Sequence, residues 1–211
     1  MRVNGRVVRE LGTVVAAGDE VTIDGVALAA QAKRYLVLHK PIGVVTTMRD
    51  PQHRKTIADL VPPGARIVPV GRLDYDTSGV VLLTNDGELV NRLLHPRFGV
   101  EKTYRAVVAG RLSTSDLAAL ASGIDLGEAR TAGAKVRVLT VKRDRSIVDI
   151  TLHEGRNRQV RRMFAALGHP VVQLARLRFG PIRLGALPAG HSRPLSAREF
   201  RELDAYRGDG G

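Results

Sequence analysis

Short stretches of alternating apolar and polar residues recur along the chain, and this period of two is typical of half-buried β-strands. The clearest lies at residues 146–153, where Val148, Ile150 and Leu152 alternate with polar side chains. A continuous apolar run at 80–83, followed by Thr84, predicts a buried strand over 80–84 instead. The other predicted strands cover residues 35–39, 44–47, 103–108, 135–142 and 171–174.

Polar caps and Gly or Pro stops mark the predicted helices. Asp86 can cap a helix that ends near Leu94, before Pro96, and Ser113 with Asp116 resembles a capping box. Further helices are expected near residues 56–60, over 158–167 and after Ser196. Because the strands cluster in hairpins and the helices come singly, the pattern predicts an α+β fold rather than a wound parallel sheet.

The first 28 residues predict a separate small β unit. Asn4-Gly5 stands between short apolar runs, which is a strong hairpin signal, and Gly18-Asp19 marks a second turn. Residues 29–34 then form a short linker to the main body.

The charge of the chain points to a polyanionic partner. Lys and Arg total 33 against 21 acidic residues, a formal net charge of +12, which favours a nucleic-acid binder over a basic protein indifferent to nucleic acid. Aromatic residues make up only 4%, which argues against a module built on base stacking. The absence of cysteine excludes disulfides and thiolate catalysis. No apolar run has the length of a membrane span, and no signal peptide follows Met1, so a cytoplasmic protein is expected.

The densest polar stretch is Gly-Arg-Leu-Asp-Tyr-Asp-Thr-Ser-Gly at residues 71–79. It places Asp74 and Asp76 beside Arg72 at the mouth of the buried strand. A carboxylate there can act as a nucleophile or general base if an arginine keeps it ionised. On the residues alone, a turn that is rich in Asp because Asp favours turns is the preferred interpretation.

This stretch, continued to residue 89, resembles the catalytic motif of the pseudouridine synthases, in the family of the ribosomal small-subunit synthase and its large-subunit relatives. The resemblance implies a pseudouridine synthase fold over residues 35–205, with a mixed, mainly antiparallel sheet flanked by helices. It also implies that Asp74 is the catalytic aspartate, which attacks the ribose C1′ or assists loss of a ribose proton. No cofactor and no metal are implied.

Two further segments resemble the family. Glu101–Arg105 contains a Lys-x-Tyr pattern that makes Tyr104 the residue that stacks on the target base and accepts the C5 proton; without the resemblance, Tyr104 reads as a core residue. Downstream, the family's closing motif implies that Leu174 flanks the base, with Leu177 nearly as good a candidate and a plain core role open for both.

The segment from Glu154 to Arg162 contains four of the five candidate arginines and matches a family motif whose first arginine pairs with the catalytic aspartate. By resemblance that residue is Arg156, which would hold Asp74 ionised and oriented. Arg158, Arg161 and Arg162 are predicted on one helix face, either as a solvated basic face or as phosphate contacts. Together with Arg72 and Leu174, we assign these three to substrate binding.

Residues 1–30 resemble the second half of an S4 RNA-binding domain. Its two leading helices are absent from the sequence, so a truncated chain or an unusual start is expected. The resemblance as a whole implies a monomeric enzyme that isomerises a uridine in ribosomal RNA, with the wording of residues 154–158 favouring the large-subunit (23S) branch. The alternatives are a non-catalytic rRNA-binding or ribosome assembly factor on the same fold, and a cofactor-dependent methyltransferase. The sequence lacks the Gly-rich nucleotide-binding loop that would support the methyltransferase.

Overall fold

The computed structural model describes residues 1–16, 18–29, 31–62 and 66–208, with side chains to residue 206. Residue 30 of the expected linker lies outside these ranges. The chain forms two compact units, Met1–Lys33 and Arg34–Gly211, which are described separately.

The first unit is a small antiparallel sheet. Its strands are β1 (Arg2–Val3), β2 (Arg6–Val7), β3 (Val21–Ile23) and β4 (Val26–Ala27), in the order β2-β1-β3-β4. Asn4 and Gly5 both have positive φ, 49° and 76°, as a two-residue hairpin turn of the I′ type requires. The four strands fit the expected S4-like β segment.

The second unit is built on one nine-stranded sheet. Its strands are β5 (Tyr35–Lys40), β6 (Val68–Pro69), β7 (Ser78–Thr84), β8 (Lys102–Ala109), β9 (Lys135–Val141), β10 (Arg145–Leu152), β11 (Val171–Phe179), β12 (Ile182–Arg183) and β13 (Ser192–Pro194). The order is β13-β5-β7-β11-β8-β10-β9, with β6 paired to β7 and β12 to β11. The pairing of β7 with β11 is parallel and the other described pairings are antiparallel, so the predicted mixed sheet is confirmed.

Helices complete the hydrophobic core against the sheet. They are α1 (Gly87–Leu94), α2 (Thr114–Ser122), α3 (Gln159–Ala166) and α4 (Ala197–Gly208), with short 3-10 turns at Ile57–Leu60 and Pro96–Phe98. Leu120 of α2 and Phe164 of α3 share one buried cluster with Val108 and Val148 of the sheet. Leu93 of α1 and Leu203 of α4 belong to a second cluster. The α+β class is therefore confirmed.

The predicted strand at 44–47 is wrong. Val45 makes only an isolated bridge to Thr56, because its amide donates to the carbonyl of Lys55 and its carbonyl accepts from Ile57. The hydroxyl of Thr46 donates to the carbonyl of Leu73 at 2.7 Å. These loop contacts occupy the polar groups that a sheet partner would need.

Gly79 brings the start of β7 into close contact with β11. Its φ is +122°, and a Cβ built on it would lie 2.3 Å from the carbonyl oxygen of Arg176. Only glycine permits this approach, which pairs Gly79 with Arg176 in the parallel register. The turn that carries Asp74 is thereby fixed beside the middle of β11.

Candidate active site

A cavity of about 530 Å³ opens beside the Asp74 turn. Its walls come from that turn, the end of α1, strands β8 and β11, and the loop between β10 and α3. Of the eight predicted site residues, six line it: Arg72, Asp74, Tyr104, Arg156, Arg158 and Leu174.

The backbone around Asp74 is held from both sides. Thr46 donates its hydroxyl to the carbonyl of Leu73 and accepts from the Leu73 amide at 3.2 Å. The amide of Thr77 donates to the carbonyl of Asp74 at 3.1 Å. These bonds close a tight turn at the entrance of β7, so that the Asp74 side chain, 34% exposed, stands at the cavity mouth.

Arg158 is the arginine beside Asp74. Its Nη1 lies 3.7 Å from the Asp74 carboxylate, and the guanidinium donates to both carboxylate oxygens of Asp76, at 3.2 and 2.9 Å. The hydrogen bond from Arg158 lowers the pKa of Asp76 below its usual value, and the nearby Arg161 charge adds to this against the opposing effect of burial. Arg158 and Asp76 therefore form an ion pair next to Asp74.

The predicted pairing of Arg156 with Asp74 is wrong. The Arg156 guanidinium donates to the carbonyls of Ala129 and Arg130, at 2.9 and 2.8 Å, and lies 3.3 Å from Glu154. These three acceptors draw its head group towards the loop before β9, although the side chain still lines the cavity wall.

The prediction that Arg158, Arg161 and Arg162 share one helix face is also wrong. Arg158 precedes α3 in a left-handed conformation, φ 48°, which turns its side chain towards the Asp74 turn. Arg161 donates to the carbonyls of Asp76 and Val171 and is mostly buried. Arg162 is bound to both oxygens of Glu128 and to the carbonyl of Leu126. Neither Arg161 nor Arg162 lines the cavity.

Tyr104 and Leu174 lie on neighbouring strands, β8 and β11, and both line the cavity. Leu174 is 5% exposed and belongs to the main core cluster, against which Tyr104 also packs. A core role and a place in the cavity wall are thus compatible. Leu177, the other leucine considered, does not line the cavity.

Three cations near the site were not singled out in the sequence: Lys40, Lys102 and Arg176. Lys40 is fully buried, donates to the carbonyl of Pro41, and has a pKa lowered to about 8 by burial, against the opposing charges of Asp74 and Asp76. Lys102 and Arg176 line the cavity. Because side chains alternate between the two faces of a strand, Lys102 lies on the same sheet face as Tyr104, and Arg176 on the same face as Leu174. Once β8 and β11 are known to pair, this alternation in the sequence is enough to predict both positions.

The model of the family described as RNA pseudouridylate synthase matches residues 34–166, which include Asp74, Tyr104 and Arg158. The chain belongs to the RNA pseudouridylate synthase family. As a pseudouridine synthase it is an isomerase, in agreement with the sequence resemblance.

Relatives of this pseudouridine synthase match it along nearly its whole length. It is 43% identical to the ribosomal large subunit pseudouridine synthase B of Bacillus subtilis, over 100% of this chain and 87% of that protein. It is 42% identical to an uncharacterised RNA pseudouridine synthase of Aquifex aeolicus, over 96% and 83% of the two chains. A crystal structure of a pseudouridylate synthase superposes with a TM-score of 0.77 at 35% identity, covering 96% of this chain and 87% of the other.

No described helix has the length and apolar character that crossing a membrane requires.

Proposed function

We propose that this pseudouridine synthase isomerises a specific uridine of large-subunit ribosomal RNA, with Asp74 as the catalytic carboxylate. The observation that carries the proposal is the position of Asp74 at the mouth of one cavity with Tyr104 and Leu174 inside it. The name of the Bacillus subtilis relative, which the chain matches over its full length, supports the large-subunit substrate.

The geometry suggests a division of roles. A target uridine must leave its stack to reach a carboxylate inside a protein cavity. We assign Asp74, at the mouth, to the ribose C1′, and Tyr104 and Leu174, which line the same cavity, to contacts with the base. Arg158 orients the Asp74 turn through its contacts to both carboxylates. We assign the C5 proton to Tyr104, the phenol in the cavity wall.

RNA binding follows from the charge of the chain. Its formal charge of +12 attracts a polyanion, and Arg72, exposed at the cavity rim, has an available guanidinium for a phosphate. We further propose that the S4-like segment, residues 1–30, adds RNA contacts through its exposed Arg2, Arg6 and Arg9. Replacing these three with Gln should weaken RNA affinity and leave the rate at saturating RNA unchanged.

The test is tritium release from transcripts labelled at uridine C5, with wild type, Asp74→Asn and the control Asp144→Asn. Asp144 lies between β9 and β10 and does not line the cavity. We expect release from the large-subunit transcript by wild type and Asp144→Asn, and none by Asp74→Asn. Release from the small-subunit transcript alone would overturn the assignment of large-subunit RNA as the substrate. Tight binding of both transcripts without release would favour the non-catalytic assembly factor.

A further inference from the structure

Two cations in the cavity wall, Lys102 and Arg176, have no carboxylate partner among the residues that the structure describes. Arg176 of β11 is 2% exposed, and Lys102 of β8 is partly buried. Both lie against the ring of Phe179, with the guanidinium carbon 5.1 Å and the ammonium nitrogen 5.8 Å from its centroid. Within the described ranges neither forms an ion pair, although most of the arginines around the site do.

Arg176 has a donor left over. Its Nε donates to the carbonyl of Val80 at 2.9 Å, which fixes the plane of the guanidinium. Its Nη2 is buried and has no hydrogen-bond partner in the described part of the chain. A buried donor without a partner is destabilising, so an arginine kept in this state is suited to a ligand that accepts its hydrogen bond.

Lys102 also has hydrogen-bond donors left for a ligand. Its ammonium donates to the carbonyl of Val100 at 3.0 Å and has further donors available. Burial, and then the positive charge of Arg176, lower the pKa of Lys102. The two positive charges therefore repel each other at a largely buried position. An acceptor oxygen or a negative charge between them would stabilise both.

The difference in burial between Asp74 and Arg176 indicates which oxygen this is. Asp74 is 34% exposed at the mouth, whereas Arg176 is almost completely buried. Tyr104, the register partner of Arg176, and Leu174, two residues before Arg176 on β11, line the same cavity. A ribose at Asp74 places its base inward between these side chains. A backbone phosphate, tied to RNA on both sides, fits poorly against an arginine that is only 2% exposed.

We infer that Arg176, with Lys102, binds the carbonyl oxygens of the target uracil and stabilises the negative charge that the base acquires when it detaches. The inference rests on the proposed function, which it deepens. When the C1′–N1 bond breaks, its electron pair remains on N1 and spreads to O2 and O4. Fixed donors in a dry site favour this charge over the neutral ground state. The electron pair is used to form the C5–C1′ bond, after which C5 gives its proton to Tyr104 and N1 takes up a proton, so that the product base is neutral.

A direct binding test needs no RNA. The probe is 5-nitrouracil, an acidic uracil that is anionic at neutral pH, and the chains compared are wild type, Arg176→Met and Arg178→Met. Arg178 lies two residues further along β11, is 40% exposed and does not line the cavity, so it is the matched control. We expect at least a roughly tenfold loss of affinity in Arg176→Met and none in Arg178→Met. Equal binding by all three chains, no binding by wild type, or equally tight binding of inorganic phosphate at Arg176 would overturn the inference.

A kinetic test separates charge stabilisation from RNA affinity. In single-turnover isomerisation, Arg176→Met should lose roughly a hundredfold in rate with RNA affinity changed less than about twofold. Added guanidinium should restore part of the rate to Arg176→Ala, which a folding defect would not allow. An affinity loss without a rate loss would instead assign Arg176 to phosphate. If wild type fails to isomerise RNA, the proposed function falls, whereas activity of Arg176→Met at the wild-type rate overturns only the present inference.

Discussion

Arg158 approaches Asp74 to 3.7 Å through a backbone conformation that is rare for arginine. Its φ of 48° lies in the left-handed region, where a non-glycine residue costs about 1 kcal/mol or more. The bidentate bond to Asp76 compensates part of this cost and joins the loop before α3 to the turn before β7. The two loops that face each other across the cavity mouth are thereby fixed.

Arg158→Gln should lower the single-turnover rate roughly a hundredfold, because a displacement of the Asp74 turn by about 1 Å costs that much. The pKa of Asp76 should rise in the same variant, since the Arg158 hydrogen bond is the main cause of its low value. Quenched single-turnover assays on an RNA hairpin measure the rate, and a carbon NMR titration measures the pKa of Asp76. Arg156→Gln is the control, and an equal or larger rate loss there would contradict the assignment of Arg158.

RNA affinity should depend on Arg72 more than on Arg162. Arg72 is exposed at the rim of the cavity, whereas the guanidinium of Arg162 is occupied by Glu128 and Leu126. Arg72→Ala should weaken binding and reduce the slope of log affinity against log salt by about one. Filter binding across a salt series gives both slopes. A larger slope change in Arg162→Ala would show that its ion pair opens for RNA.

Gly79→Ala should destabilise the fold by roughly 2–4 kcal/mol, because φ is +122° and the new Cβ would meet the Arg176 backbone. Urea unfolding monitored by circular dichroism measures the loss. Gly87, the first residue of α1, has open space around a built Cβ. Gly87→Ala should therefore be neutral or stabilising by up to about 1 kcal/mol. Similar losses in the two variants would argue against a close contact at Gly79.

The pH dependence of stability should report on Glu199. Its hydrogen bonds with Arg193, then those from Ser196, lower its pKa from 4.5 to about 2 despite burial. A carboxyl with a lowered pKa stabilises the folded state fully above its unfolded value, and the contribution is lost as the pH falls from 4.5 towards 2. Glu199→Gln should thus cost about 2–3 kcal/mol at pH 7 and little near pH 2.

Glu202→Gln is the matched control for Glu199. Glu202 pairs with the highly exposed Arg198 on the same helix, a kind of pair that contributes less than about 1 kcal/mol. Guanidinium-induced unfolding of both variants at several pH values separates them. A constant difference between Glu199→Gln and wild type across the acid range would show that packing, not ionisation, causes the loss.

The parts of the site that sequence could predict are those encoded by local pattern. The Asp74 turn precedes a continuous apolar run that forms β7, and the capping box of Ser113 and Asp116 starts α2 as expected. These features depend on neighbours within a few residues, so the sequence contains them directly. The site roles of Tyr104 and Leu174 could be predicted only from the family resemblance, since isolated residues of these types are ordinary core residues.

The remaining features depend on contacts between distant segments. Arg158 and Arg156 are chemically alike, and only the left-handed backbone at Arg158 turns it towards Asp74. Segment 44–47 has a strand-like sequence, yet contacts to Lys55, Ile57 and Leu73 hold it as a loop. Arg176 resembles its neighbour Arg178 in sequence, but Arg176 lies where β11 pairs with both β7 and β8, whereas Arg178 lies beyond the pairing with β7.

The position of β11 between β7 and β8 also has a consequence for synthesis of the chain. As the protein leaves the ribosome, β7 and β8 are made first, and each has an unpaired edge until β11 emerges and inserts between them. Long-range pairing of this kind is slow and leaves strand edges open to wrong partners. A nascent chain that ends before β11 therefore holds Asp74 without an assembled cavity, and activity arises only when the last third of the polypeptide has been translated.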